Sequence, residues 1–202
     1  KLKRGYTFSR MHADIQRLNL DNHILPFFGK KKLNRITSKQ VETWLFSFAD
    51  KGLSNATANH NFATLRIMFN EAYRLDYIKK NPIKAVRPLK ENPKKKGLPT
   101  DKEFKALFDE SRVNEVWGAD LFFIANLLSA VTGMRLGEIQ ALQSEDVKEN
   151  YIYVCHSLDR KYGLKETKTK VNRKVPIPGR VQLLLEPLKE QNKQGYLFSR
   201  DN

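Results

Sequence analysis

The chain has 202 residues, 40% hydrophobic and 10% aromatic, which are globular values and exclude a disordered protein, with length enough for two modest cores. Its longest uncharged stretch is 14 residues, too short to span a bilayer; no signal peptide opens it, and its one cysteine, Cys155, cannot form an internal disulfide, so a soluble, cytoplasmic protein with a buried, inert thiol is expected. The net charge of +15 is unevenly spread, because residues 1–98 hold 21 Lys and Arg against 7 Asp and Glu while residues 99–202 hold 16 against 15. A domain so lopsided meets a polyanion; nucleic acid comes before an anionic membrane surface, since no helix pairs a basic face with a lipid-seeking one.

The first half reads as a small helical bundle, residues 1–86. Phe8, Met11, Ile15 and Leu18 recur at helical spacing, and this segment closes through Pro26 and Gly29. Thr37 with Gln40 forms a capping box ahead of the apolar stripe Val41, Trp44, Leu45 and Phe48, and Gly52 marks its end. Ser54 caps a longer helix with the stripe Ala58, Phe62, Leu65, Met68, Phe69, Ala72 and Leu75, and Asn81-Pro82 marks its exit. Residues 87–98 carry two prolines, a glycine and the triplet Lys94, Lys95 and Lys96 without a periodic apolar face, which predicts a basic linker. Those lysines fit a soluble tether and a track along a phosphate backbone equally well.

The second half, residues 99–202, restarts with a capping box of Thr100 and Glu103 before Phe104, Leu107 and Phe108. The uncharged run Leu121 to Met134 predicts a buried helix stopped by Gly133. Tyr151 to Cys155 is dense in β-formers, Val175 to Pro178 is a second extended piece, and the basic connection between them predicts a small sheet with a projecting hairpin. A last helix is expected from about Arg180 to Gln191, carrying Val181, Leu184, Leu185 and Leu188, with Tyr196 as a core or strand residue.

Arg135, in the run Thr132-Gly133-Met134-Arg135-Leu136-Gly137-Glu138, comes directly after the uncharged helix. A buried guanidinium costs several kcal/mol unless paired, and Glu138 three residues on shares its face of a short helix. Two readings stay open on the residues alone: a structural Arg–Glu pair bracing a corner, or an arginine presented at a cleft to bind phosphate through its planar fork.

The run Thr132 to Leu142 resembles the first arginine box of the tyrosine recombinase (phage integrase) family, T-G-x-R-x-x-E. The likeness extends along the chain. Pro26 to Gly29, Leu33 to Thr37, Gly52 to Ser54 with Thr57 and Asn59, and Ile78 with Asn81-Pro82 resemble the SAM-like core-binding domain of integrases. Leu98 to Thr100 and the hairpin Lys168 to Pro176 resemble the opening part of their catalytic domain. The resemblance implies an all-α helical bundle leading into a mixed α+β catalytic domain with a small antiparallel sheet, here truncated, set as a clamp on two sides of a duplex. It implies site-specific recombination or integration through a 3′-phosphotyrosine link, without metal, nucleotide or other cofactor, in a phage or mobile-element protein associated with the bacterial nucleoid.

By that resemblance Arg135 is the first phosphate-clamping arginine, Glu138 its supporting carboxylate and Lys168 the general acid, with Lys170 next; Lys165, Lys170 and Lys174 fit plain solvated charge as well. Thr57, Asn59, Asn61, Thr64 and Arg66, on the outer side of the third helix, together with Lys39, Lys94, Lys95, Lys96, Lys170 and Arg173, are the expected DNA contacts, with an ordinary wet surface as the alternative. The family's second box, His-x-x-Arg, is missing: His12, His23, His60 and His156 have no arginine three residues later. The expectation is therefore a fragment of a longer recombinase that binds double-stranded DNA but does not cleave it, monomeric alone and part of a homotetramer on DNA when complete, with no membrane partner. A degenerate integrase that only binds DNA, and an RNA-binding or replication accessory factor, are the rivals.

Overall fold

A computed structural model describes residues 9–93, 96–167 and 171–198. Contacts divide the chain into two compact units, Lys1–Lys96 and Gly97–Asn202.

In the first unit α1 (Arg10–Asn19) is capped by Ser9 and runs through a π-turn (Leu20–Ile24) into the short α2 (Leu25–Phe28). The stripe predicted for α1 is only partly covered: Ile15 is half-buried, Met11 is exposed, Leu18 is 58% exposed, and Phe8 lies outside the described residues. The buried residue is Asn19, whose Nδ2 donates to Thr64 Oγ1 at 2.9 Å. The π-turn widens the helix by one residue and so rotates the next turn about the axis, bringing Ile24 and Phe28 inward.

The helix α3 (Ser38–Asp50) opens on the Thr37–Gln40 capping box and buries Val41, Trp44, Leu45 and Phe48, as their spacing predicts. Past Gly52, whose φ is +68°, Ser54 caps α4 (Asn55–Arg74), a 20-residue helix that packs on α3 through Ala58, Phe62, Leu65, Phe69 and Ala72. Met68 and Leu75, expected in this stripe, are exposed; the inner face takes Asn61 and Thr64 in their place.

Residues 87–91, expected as part of a free linker, are fastened to α4. Asn59 donates from Nδ2 to the Leu89 carbonyl and accepts the Leu89 N–H at Oδ1, both 2.8 Å, and Asn55 Nδ2 donates to the Lys90 carbonyl at 2.7 Å. Val86 is buried and Leu89 packs against the same core. An extended strip whose amides are held by asparagine side chains needs no periodic apolar face, so hydropathy patterning does not reveal it.

In the second unit α5 (Asp101–Leu107) carries its Thr100–Glu103 capping box, but Phe104 and Leu107 are exposed and only Phe108 joins the core. After α6 (Val113–Val116) comes α7 (Asp120–Thr132), which buries Phe123, Ile124, Leu127 and Leu128. The chain continues through α8 (Leu136–Gln140), β1 (Tyr151–Val154), β2 (His156–Asp159), β3 (Gly163–Glu166), β4 (Arg173–Pro176) and α9 (Gly179–Gln191). β1 pairs antiparallel with β4, Ile152 opposite Val175 and Val154 opposite Arg173, and β2 pairs antiparallel with β3 as a hairpin. Ile152, Val154 and Val175 meet α7 residue Leu128, α8 residue Ile139 and α9 residues Val181 and Leu185 in one core, closed by Leu197. Tyr196, expected as a core or strand residue, is half-buried and forms an isolated antiparallel bridge with Gln143 outside the named strands. No single helix among the described residues is long and apolar enough to cross a membrane.

Candidate functional site

The site is built at the corner between α7 and α8. Gly133 ends α7 in the left-handed region, φ +65°, where a side chain is disfavoured, and its N–H returns to the Ser129 carbonyl at 2.9 Å. Ser129 Oγ donates to the Met134 carbonyl and the Met134 N–H donates to Thr132 Oγ1, so the turn is tied on both sides. Met134 is buried, which anchors the backbone just before Arg135.

Glu138, one turn into α8, is 1% exposed and its carboxylate accepts four hydrogen bonds. Oε1 receives Arg135 Nη1 at 3.0 Å and Arg173 Nη1 at 3.1 Å; Oε2 receives the Arg135 backbone N–H at 3.0 Å and Arg173 Nη2 at 2.6 Å. Burial pushes the Glu138 carboxyl upward, but the Arg173 fork and the Arg135 backbone and side-chain donors outweigh it and hold it at about 2. Arg173 is raised by the same bond. The glutamate is thus a permanent buried anion.

The cations around it are not buried. The Arg135 side chain is 53% exposed, and that of Arg173 is 35% exposed. Arg135 is therefore both a braced corner and a partly solvated charge, which corrects the expectation of a guanidinium shut away from water. One carboxylate shared by two guanidiniums leaves a local excess of positive charge at this surface.

Gly137 explains how α8 comes so close to β2. A Cβ there would stand 2.6 Å from Ser157 Oγ and 2.9 Å from the Leu158 carbonyl oxygen, and the latter is backbone that cannot turn aside. Its signal in the sequence was a glycine inside a five-residue helix, where propensity alone disfavours it.

Arg173, expected to contact DNA, has both terminal nitrogens on Glu138, across 35 residues of sequence. Lys168 and Lys170 lie outside the described residues, as do Lys94 and Lys95. The neighbouring lysines are engaged: Lys165 Nζ bonds Asp159 Oδ2 at 2.9 Å, and Lys174 lies over the Tyr151 ring at 4.8 Å. Cys155, expected as a buried thiol, is half-buried; burial, then Asp146, pushes its thiol upward, which favours the protonated form. Among the described residues no cluster of His, Cys, Asp and Glu is placed to hold a metal ion.

The polar row expected on the outside of α4 divides. Asn61 and Thr64 are buried, the former donating to the Thr57 carbonyl at 2.9 Å and the latter accepting from Asn19, so neither faces solvent. Asn59 is occupied by Leu89 and by Glu91 Oε1 at 2.7 Å, and the Thr57 hydroxyl pairs with the Ser54 hydroxyl at 3.0 Å. Arg66, Lys39 and Lys96 are exposed. The reason is simple: short polar residues at helical positions look like a wet face, whereas Asn61 and Thr64 lie on the buried side of α4, where Thr64 bonds across to Asn19.

Comparison with known proteins adds to this geometry. Residues 22–91 match the phage integrase SAM-like domain. The ICEBs1 integrase of Bacillus subtilis (strain 168) is 27% identical over 185 residues, covering 89% of this chain and 49% of that protein. The integrase of Escherichia phage lambda is 28% identical over 125 residues, 62% of this chain and 33% of that protein. The chain thus spans from about a third to about half of these relatives' length. The solved lambda integrase tetramer bound to a Holliday junction matches over 98% of this chain and 56% of that one, with a TM-score of 0.76 at 21% identity, a likeness of fold. The fold is that of an integrase core-binding domain joined to catalytic-domain elements, mostly helical with small antiparallel sheets.

Proposed function

Because the chain belongs to the tyrosine recombinase (phage integrase) family, we propose that it grips duplex DNA and supplies the first part of the phosphate-binding machinery of an enzyme that cuts and rejoins DNA at specific sites. The observation that carries this reading is the half-exposed Arg135 guanidinium held on a buried carboxylate at the α7–α8 corner.

In the reaction proposed, a tyrosine hydroxyl attacks a phosphodiester, the 5′-oxygen leaves with a proton, and a 3′-phosphotyrosine forms; a second strand's 5′-hydroxyl later displaces the tyrosine. Negative charge grows on the non-bridging phosphate oxygens as the new bond forms. Arg135 presents fixed N–H donors to those oxygens, and a fixed donor in place before the reaction stabilises the transition state without reorganisation. Lys168 gives its proton to the departing 5′-oxygen. No histidine in these 202 residues has an arginine three positions later, so this portion by itself binds without cutting.

Affinity comes mainly from the first unit, which carries 21 of the 37 Lys and Arg. Lys30, Lys31, Lys32, Arg35 and Lys39 cluster between α2 and the first turns of α3, all exposed, and with Arg66 and Lys96 they neutralise backbone phosphates. The complete enzyme assembles four protomers on two duplexes.

Anisotropy titrations of a labelled duplex at increasing salt, with structured RNA as competitor, test the binding reading. A steep fall of affinity with salt and preference for the duplex are expected; preference for RNA overturns it. In an enzyme of the relatives' full length carrying this chain, Arg135→Ala and Lys168→Ala each lower covalent trapping of a suicide substrate by roughly 10²-fold or more while sparing binding. Near-normal trapping removes the role assigned to that residue.

A further inference from the structure

The two arginines on Glu138 are not equivalent. Arg173 gives both Nη1 and Nη2 to the carboxylate, one to each oxygen, whereas the Arg135 side chain gives only Nη1, its backbone N–H supplying the fourth bond. A carboxylate offers about four acceptor sites, and all four are filled. Among the described residues, Nε and Nη2 of Arg135 bond to nothing, on a side chain 53% exposed.

We propose that Arg173 is a positioning residue: by filling Glu138 with its own fork it prevents Arg135 from closing on the carboxylate side by side, and so keeps the outer edge of the Arg135 guanidinium turned toward solvent and a phosphate. This rests on the reading of Arg135 as a phosphate donor and adds the reason that it stays available. An arginine three residues before its glutamate would otherwise take the bidentate geometry that guanidinium and carboxylate favour. It does so elsewhere in this chain: Arg112 bonds Glu115 through Nε and Nη2 at the same spacing. Arg135 departs from that geometry, and at its site the same carboxylate also holds two other donors, its own backbone N–H and the fork of a second arginine.

Charge argues in the same direction. Glu138 with Arg135 alone is a neutral pair, and a neutral pair attracts phosphate weakly; with Arg173 the cluster carries one net positive charge. The position of Arg173 also matters, because it is the first residue of β4, five residues after Lys168 and three after Lys170. Its bond to α8 therefore fastens the chain that has just passed through these lysines to the corner that carries Arg135.

The test uses the 202-residue chain with arginine side chains observed by nitrogen-15 magnetic resonance, the Arg135 Nε–H signal identified by its loss in Arg135→Lys. In Arg173→Gln the buried Oε2 keeps one donor, and the unpaired oxygen draws in the Arg135 fork. Exchange of the Arg135 Nε–H with water should then slow several-fold, and binding of inorganic phosphate, read from the same signal, should weaken roughly tenfold, the loss of one charge-assisted hydrogen bond. Arg173→Lys keeps the charge but not the fork, so exchange slows while phosphate binding is partly restored. This variant decides the matter if Arg173→Gln fails to fold, which Trp117 emission reports in a Trp44→Phe background. Unchanged Arg135 exchange in the folded variants overturns the proposal. Slowed exchange with no phosphate response in any form, the unsubstituted chain included, sustains the positioning role and overturns instead the phosphate reading of Arg135.

Discussion

Replacing Glu138 by glutamine removes one charge from the centre of the site and leaves its shape nearly unchanged. The amide has one acceptor oxygen where the carboxylate had two, and its NH2 would face an Arg173 or Arg135 donor head on. Glu138 is held at about 2 against an ordinary value of 4.5, a difference worth about 3 kcal/mol of folding stability at neutral pH. Because the folded value is depressed, that contribution is fully present above pH 4.5 and is lost as pH falls from 4.5 toward 2. Glu138→Gln should therefore cost about 3 kcal/mol at pH 7, an amount in line with breaking a buried pair whose partners stay half in water. The cost should shrink toward zero near pH 2, where the protonated carboxyl resembles the amide. Urea unfolding monitored by Trp117 emission, in a Trp44→Phe background so that only the second unit reports, measures it. A cost that is the same at pH 7 and pH 2, or one below about 0.5 kcal/mol at pH 7, would refute the argument that the carboxylate's charge holds this corner.

Gly137→Ala should destabilise the second unit by about 1–3 kcal/mol through overpacking of α8 on β2. Adding Ser157→Ala should recover only part of it, since the Leu158 carbonyl remains 2.9 Å from the new methyl; full recovery in urea unfolding would show that the backbone contact is harmless. Asn59→Ala should lower the stability of the first unit by about 1–2 kcal/mol and speed amide exchange at Leu89, whose N–H it releases. Loss of DNA affinity with Leu89 exchange unchanged would instead restore Asn59 as a DNA contact.

Local chemistry made much of this protein legible from its amino acids. The capping boxes at Thr37 and Thr100, the left-handed stop at Gly133, the apolar stripe of α3 and the β-formers of β1 each declare themselves within a few residues, because cap bonds, positive φ and side-chain period are short-range effects. The T-G-x-R-x-x-E run marked Arg135 and Glu138 only through its resemblance to the integrase family, the residues alone leaving two readings open. Tertiary structure decided what depends on partners far along the chain. Thr64 looks like part of a wet face until α1 brings Asn19 against α4. Residues 87–91 look like a tether until Asn55 and Asn59 bond them. Arg173 looks like one more surface cation until the pairing of β1 with β4 places it beside a glutamate 35 residues away. A hydrogen bond is satisfied by whichever partner the fold delivers, so composition and periodicity fix which residues want a partner, and only the packed chain fixes which one each receives.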